Sequence, residues 1–219
     1  MESMKRRKNP TKADGFTLVE LLVCMGVIVL LCSLLLPQMN SLTDRARNVS
    51  CLSQLRQIGG ALQSYAAENN QNGPYDGREA GNTSIALWKY NNQKVLFGLL
   101  MPYVDAAGAA TTPKILICPG ASRAFQAMLT VSGDNTSYWM NPEVTSNPTA
   151  VNSLLALPGR RVAMMDSCTW WQPGIFGPDY DNHSGKGFNV FRMNGSASWI
   201  PIAKSMGLGA WDWSQLDKL

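Results

Sequence analysis

The chemistry open to this sequence is limited first by its histidine content. The 219 residues contain a single histidine, His183, within the polar, glycine-rich segment DYDNHSGKG. A Ser-His-Asp or Cys-His arrangement for nucleophilic catalysis would need this residue, and no G-x-S-x-G or comparable nucleophile motif is present. We therefore interpret His183 as a residue that organises its loop through hydrogen bonds, and we expect the chain not to be an enzyme.

Three oxygen-bearing side chains beside this histidine are candidate calcium ligands. Asp179, Asp181 and Asn182 precede His183, and carboxylate and amide oxygens are ligands that calcium prefers. Their spacing does not match an EF-hand loop. The alternative is a solvated turn rich in Asp and Asn.

The five cysteines fall into two groups by position. Cys24 and Cys32 lie within a long apolar run, whereas Cys51, Cys118 and Cys168 come after it, on the side that we expect to be exported to an oxidising compartment. Three cysteines allow three pairings and leave one residue unpaired. We prefer a disulfide between Cys51 and Cys118, because it would tie a helix to the globular part; three buried thiols are the alternative.

The chain has seven tryptophans, which is many for its length. The adjacent Trp170 and Trp171 could stack on sugar rings through their flat apolar faces, which would make the protein a polysaccharide binder. Packing in the core is the other explanation.

The element that must position these groups begins with the apolar run FTLVELLVCMGVIVLLCSLLL, residues 16–36. It contains one charged residue, Glu20, and at about 1.5 Å per residue it is long enough to cross a hydrocarbon core of about 30 Å. A cluster of basic residues precedes the run, which predicts a cytoplasmic N-terminus and export of the residues beyond Leu36. A carboxylate inside such a helix costs roughly 2 to 3 kcal/mol at mid-membrane depth unless a partner neutralises it.

At the start of the run, a basic leader comes before Gly15, Phe16, Thr17, Leu18, Val19 and Glu20. This arrangement is similar to the prepilin cleavage and methylation motif, so the chain resembles the type IV pilin-like and type II secretion pseudopilin family. The resemblance implies that a prepilin peptidase cuts between Gly15 and Phe16 and methylates the new terminus at Phe16. It also implies that Glu20 neutralises the freed amino group of Phe16 on a neighbouring subunit during assembly.

Pro37 lies where the apolar run ends, 21 residues beyond Phe16. Proline is also found well down the same helix in this family. Because Pro37 removes a backbone donor, we expect a kink there, and a simple end of the helix is the alternative. The residues beyond it continue a helical pattern to about Glu68, with a buried stripe formed by Leu42, Ala46, Val49, Leu52, Leu55, Ile58, Leu62 and Tyr65.

After the turn-rich segment ENNQNGPYDG, short apolar segments alternate with Gly, Pro and Asn. Several of the segments VLFGLLMPYV, KILICP, SYWMN, RRVAMMD, FNVFRM and SASWIP have the pattern of strands. The last two are joined by Asn194 and Gly195, a preferred pair for a tight hairpin turn. We therefore predict an α+β, pilin-like fold in which a long N-terminal helix, transmembrane in its first half and amphipathic in its second, packs on a small antiparallel sheet.

Segments beyond the apolar run strengthen the resemblance. CLSQLRQIGGALQSYAAEN, ICPGAS, SYWMN and HSGKGFNVFRMNGSASWI are similar to a large pseudopilin-like group abundant in planctomycetes and their relatives. That group often has Asp-Gly at the hairpin turn, where this chain has Asn194 before Gly195. Some major pseudopilins bind calcium in a C-terminal loop, which supports Ca²⁺ as a cofactor here.

The distribution of charge along the chain bears on its binding partners. The leader holds most of the net charge of +4, so the remainder is almost neutral and no nucleic-acid partner is expected.

We predict a leader over 1–15, a transmembrane helix over 16–36, its amphipathic continuation over 37–68 and a globular α+β head over 69–219. The function expected is a structural subunit of a pilus or type II secretion pseudopilus, a single-pass bacterial inner-membrane protein whose head is periplasmic or extracellular. The alternative is a carbohydrate-binding or adhesive protein displayed through a pilin leader.

Overall fold

The structure is a computed structural model that describes residues 16–75, 86–90, 93–104, 111–132, 134–146, 153–166, 182–201 and 213–219. Within these ranges, the side chains at 35–40, 90, 131, 132 and 184 are not among those described. The predicted leader over 1–15 lies outside the described residues.

The helix α1 extends over Leu18–Glu68. Its start is fixed by a capping box, because Thr17 donates from its backbone nitrogen and its hydroxyl to Glu20 Oε2, at 2.9 and 2.8 Å, and Glu20 N donates to Thr17 Oγ1 at 3.3 Å. The chain divides after Thr43 into two units, the second of which is Asp44–Leu219. The second half of α1 therefore belongs with the globular residues that come after it.

The transmembrane helix predicted over 16–36 is not found. In the part of the chain that the structure describes, no helix combines the length and the apolar character needed to cross a membrane. The prediction of a fold with a transmembrane half is therefore wrong, and so is that of a single-pass inner-membrane protein.

The second half of α1 supplies one side of the core. Its buried face consists of Cys51, Leu55, Ile58, Ala61, Leu62 and Ala66. The predicted stripe shares Leu55, Ile58 and Leu62 with this face, but Leu42 and Val49 are exposed. The prediction of a buried stripe is thus correct only in the part of α1 that packs on the sheet.

The central sheet has four strands, which are β3 (Tyr138–Met140), β4 (Val162–Asp166), β5 (Gly187–Arg192) and β6 (Ala197–Pro201). They are antiparallel and lie in the order β3-β4-β5-β6, and this part of the α+β prediction agrees with the structure. A separate two-stranded ladder pairs β1 (Lys89–Tyr90) with β2 (Gln93–Lys94).

Each face of the four-stranded sheet is covered. Because side chains alternate along a strand, Tyr138, Met164 and Phe191 face the core that contains α1. Trp139, Met165 and Val190 belong to a second cluster with the C-terminal helix, α4 (Trp213–Leu216). This helix is anchored where Asp217 Oδ1 accepts from Val162 N at 2.8 Å. Two-sided burial explains why β4 is apolar at four of its five positions and has only Asp166 as an ionisable residue.

The predicted hairpin is confirmed, with a different turn. β5 and β6 pair in antiparallel register from Gly187 opposite Pro201 to Phe191 opposite Ala197. Gly195 has φ +84, whereas Asn194 does not have a positive φ, and Gly195 N donates to Arg192 O at 2.9 Å. The connection is therefore a longer loop with glycine in the left-handed position, and not the two-residue turn expected of an Asn-Gly pair.

Two of the predicted apolar segments are helical. VLFGLLMPYV contains α2 (Phe97–Leu100) and a 3-10 turn (Met101–Val104), and KILICP contains a 3-10 turn (Lys114–Leu116). A further helix, α3 (Arg123–Ser132), lies after them in the chain. Short apolar runs bury equally well as helix or strand, which is why periodicity did not separate the two.

The adjacent glycines of α1 are expected to respond differently to alanine. A Cβ at Gly59 would overlap the ring of Phe191 on β5, whereas a Cβ at Gly60 meets no described atom within 4 Å. We expect Gly59→Ala to lower the free energy of unfolding by about 1 to 3 kcal/mol through overpacking. Gly60→Ala should raise it by up to about 1 kcal/mol through helix propensity. Urea denaturation of both variants measures the difference, and equal effects would contradict the close packing of β5 on Gly59.

Candidate metal centre

Four side chains from distant parts of the sequence converge inside the head. Cys51 lies on α1, Cys118 comes after the 3-10 turn Lys114–Leu116, Asp166 ends β4, and His183 opens the 3-10 turn His183–Gly185 before β5. One donor atom from each lies within 4.8 Å of all the others. The pairing of β4 with β5, and the packing of α1 on the same sheet face, bring these segments together.

The two thiols are direct neighbours. Cys51 Sγ and Cys118 Sγ are 2.9 Å apart, both residues are fully buried, and both are free cysteines in the structure. Gly120 N donates to Cys118 Sγ at 3.3 Å, and Cys51 Sγ lies 3.5 Å from Tyr138 Oη. The predicted disulfide partners thus lie side by side, and the bond itself remains a prediction.

Asp166 supplies a carboxylate with no exposure to solvent. Its Oδ1 accepts from Asn189 N at 2.8 Å, which ties it to the neighbouring strand. Its Oδ2 accepts from Asn189 Nδ2 at 2.8 Å and from Cys51 Sγ at 3.2 Å, and lies 2.9 Å from His183 Nε2. Since a buried carboxylate is costly unless it is paired and hydrogen-bonded, these contacts are what permits Asp166 at this position.

His183 is held in place by its backbone and by contacts to its ring. Its φ of 55 lies in the left-handed region, and His183 N donates to Gly120 O at 2.8 Å. A Cβ at Gly120 would overlap the imidazole, so glycine allows the close approach. The ring also meets Trp199 edge-on, with centroids 5.2 Å apart. The Nε2 atom is thereby directed at Asp166 Oδ2 and at Cys118 Sγ, the latter at 3.4 Å.

The electrostatics of the cluster result from burial and from one charge pair. Burial lowers the pKa of His183, but the hydrogen bond to Asp166 and the charge of this carboxylate outweigh it and raise the pKa to about 9. Burial raises the pKa of Cys51, and its hydrogen bond to Cys118 and the charge of Asp166 raise it further. At neutral pH, His183 is therefore an imidazolium beside the Asp166 side chain, and Cys51 is a neutral thiol.

This arrangement does not match a catalytic triad. In a triad the acid binds one imidazole nitrogen and the nucleophile the other, whereas Asp166 and Cys118 both approach His183 Nε2. The thiols are also closed off from solvent, and structural buried cysteines are inert as nucleophiles. Two sulfurs, one imidazole nitrogen and one carboxylate oxygen are instead the donor types that bind zinc.

Comparison with other proteins does not add to this description. No family model, curated protein or solved structure matches the chain.

The structure gives fewer contacts for the remaining residues predicted from the sequence. Phe16 is 90% exposed, and Glu20 is exposed and bonded to Thr17. Pro37 lies within α1, and its side chain is not among those described, so the kink remains a prediction. The residues outside the described ranges are Gly15, Cys168, Trp170, Trp171, Asp179 and Asp181.

Of the candidate calcium ligands, Asn182 alone is described. It is fully buried, and its Nδ2 donates to Ser137 O at 3.3 Å. It also forms a β-bridge with Ala121, which positions His183 beside it. Its structural role is therefore to hold the loop beside the four-residue cluster, and the calcium prediction has no described contact in its favour.

Asp166 is not among the residues predicted from the sequence, and Cys51 and Cys118 are predicted there only as a disulfide or as buried thiols. A signal for Asp166 was present, because the acid closes the apolar strand VAMMD and an acid in a buried strand needs a partner. His183 was expected to organise its loop, and the structure adds that its ring contacts Asp166.

The four described thiols should differ in reactivity. Cys24 and Cys32 are exposed, and Cys51 and Cys118 are buried. After reduction and with a chelator present, we expect the buried pair to react with a maleimide at least about 100-fold more slowly, because the reaction requires local opening. Peptide mapping by mass spectrometry over a time course measures each rate. Equal labelling of all four would contradict the burial of the cluster.

Proposed function

We infer that the chain is a structural subunit that assembles with copies of itself, or with related pilin-like subunits, through the first part of α1. The observation that carries this inference is the exposure of apolar side chains there. Phe16, Leu18, Val19, Leu22 and Leu34 are between 62 and 90% exposed. Exposed apolar surface of this extent is typical of an interaction site.

The apolar surface surrounds the helix. Large apolar side chains are exposed at consecutive positions, including Leu21, Leu22, Val23 and again Val27, Ile28, Val29, Leu30, Leu31. A helix that is hydrophobic on all sides is buried on all sides when it functions. A bundle of identical helices meets this requirement, since each copy covers its neighbours with the same kind of surface.

A single charge interrupts this surface. Glu20 is the only acidic or basic residue between Phe16 and Leu34. Its hydrogen bonds to the backbone and side chain of Thr17 lower its pKa, so the carboxylate is charged at neutral pH. A carboxylate in a packed bundle needs a cation, and cleavage before Phe16 would create one at the same end of the helix.

The positions of the two charges also suggest how neighbouring copies are offset. Phe16 precedes α1 by two residues and Glu20 lies in its first turn, so the two positions are separated along the helix axis by roughly one turn, on the order of 6 Å. A neighbour displaced by this amount brings its Phe16 ammonium level with Glu20. Each subunit then offers one acid and one amine, so the same contact repeats along a filament.

Processing is tested by the mass of the protein from its native host. We expect a mature chain that starts at methylated Phe16, because residues 15–20 resemble a prepilin site. Gly15→Leu should retain the basic leader, whereas Gly26→Ala, a change at a glycine within α1, should be processed normally. Intact-mass and N-terminal peptide analysis measures both. A wild-type chain that keeps residues 1–15 would contradict the proposed processing.

Two substitutions separate the effect of the Glu20 charge from the effect of the Glu20 capping hydrogen bonds. Glu20→Gln keeps an oxygen that can accept the capping hydrogen bonds but removes the charge, and we expect filament yield to fall at least about 10-fold. Thr17→Ala removes the cap and keeps the charge, at a cost of about 1 kcal/mol to the helix start.

Sedimentation and electron microscopy of filaments, with circular dichroism of the unassembled chain, measure both variants. If Thr17→Ala abolished assembly while Glu20→Gln assembled as the wild type does, Glu20 would be a capping residue only.

A further inference from the structure

We propose that Cys51, Cys118, Asp166 and His183 form a tetrahedral zinc site that fastens the head to the second half of α1. This site is independent of the proposed assembly, because all its donors belong to Asp44–Leu219. The ligands would be two thiolate sulfurs, His183 Nε2 and Asp166 Oδ2.

The distances suit a zinc ion after small movements. In a tetrahedral site, zinc radii place two sulfurs about 3.8 Å apart, sulfur and nitrogen or oxygen about 3.5 Å apart, and nitrogen and oxygen about 3.4 Å apart. The observed separations are 2.9 Å between the sulfurs, 3.2 Å from Cys51 Sγ to Asp166 Oδ2, 3.4 Å from Cys118 Sγ to His183 Nε2 and 2.9 Å from Nε2 to Oδ2. Each of these edges expands by less than about 1 Å, which side-chain rotation can supply.

The donors are also supported by a second layer of hydrogen bonds, as metal ligands usually are. Asn189 holds both oxygens of Asp166, from its backbone nitrogen and from Nδ2. Gly120 N donates to Cys118 Sγ, which orients the sulfur. The carbonyl of the same Gly120 accepts from His183 N, so one residue aligns two ligands.

A disulfide between Cys51 and Cys118 is the competing use of the sulfurs. Their separation of 2.9 Å lies between the disulfide length of about 2.05 Å and the zinc edge of about 3.8 Å, so this distance does not choose between them. The other two donors favour the metal. A disulfide needs neither a fully buried carboxylate nor an imidazole within 3.4 Å of its sulfur, whereas this zinc site uses both as ligands.

The choice of zinc rests on the donor set. Two thiolates and an imidazole select zinc over calcium or magnesium, which take oxygen ligands. Four protein donors leave no position for water or substrate, which is the arrangement of a structural site. On binding, each thiol loses its proton and His183 binds as neutral imidazole, so protons are released to solvent.

The first test measures zinc bound to the full-length chain, purified in detergent with a phosphine reductant. We expect one zinc per chain after gel filtration, and a loss of at least about 10-fold in zinc content in Cys51→Ser and Cys118→Ser. Cys24→Ser and Cys32→Ser remove exposed thiols and should keep full zinc content. Cys168→Ser should also keep it; loss of zinc in that variant would overturn the proposed donor set.

The second test uses the wild-type chain and so does not depend on the folding of variants. Zinc is removed with a chelator and replaced by cobalt, whose spectrum reports geometry and ligands. We expect the visible bands of tetrahedral cobalt together with thiolate-to-cobalt charge transfer. Asn189→Ala, which leaves every ligand in place, should weaken zinc binding by about 10- to 100-fold.

The proposal is overturned if the reduced wild-type chain takes up neither zinc nor cobalt through thiolates. It is also overturned if the chain, purified without reductant, contains a disulfide between Cys51 and Cys118 and still binds no metal after that disulfide is reduced.

Discussion

The head is organised around a carboxylate that has no access to water. Asp166 ends the central strand β4 on the sheet face that α1 covers, and it is fully buried. An isolated charge there would cost several kcal/mol, so the fold must supply hydrogen bonds and a cation. Asn189 and His183 meet this need from β5 and from the turn before it. The course of the chain from Asn182 to Asn189 is therefore set largely by the requirements of one acid.

The same constraint links this loop to the rest of the head. His183 can reach Asp166 only because Gly120 presents no side chain to the imidazole, and Gly120 is held beside the ring by the bond from His183 N. Cys118, two residues earlier, is then placed against Cys51 of α1. One buried pair thus connects the helix, the segment before α3 and two neighbouring strands. A cation bound by these side chains would therefore hold all of these elements together.

The two halves of α1 differ in burial, because the second half buries one face and the first half exposes apolar side chains. From Cys51 to Ala66 it has one buried face, and its opposite side is polar and exposed. From Phe16 to Leu34 most side chains are apolar and exposed. The first pattern is satisfied within one chain, whereas the second is typical of a surface that contacts other molecules. The proposed assembly through the first part of α1 would provide contacts of this kind.

The sequence by itself determined the features that depend on local patterns. The course of the second half of α1, the strands in SYWMN and RRVAMMD and the β5–β6 hairpin depend on periodicity and turn composition, which act within a few residues. Periodicity did not separate strand from helix in VLFGLLMPYV and KILICP, and apolar length alone led to the incorrect transmembrane prediction. Only the tertiary structure decided that Cys51, Cys118, Asp166 and His183 meet. Their convergence depends on strand order and on the packing of α1 against segments far away in the chain, Cys51 and Asp166 being 115 residues apart, and no local preference in the sequence encodes contacts at that separation.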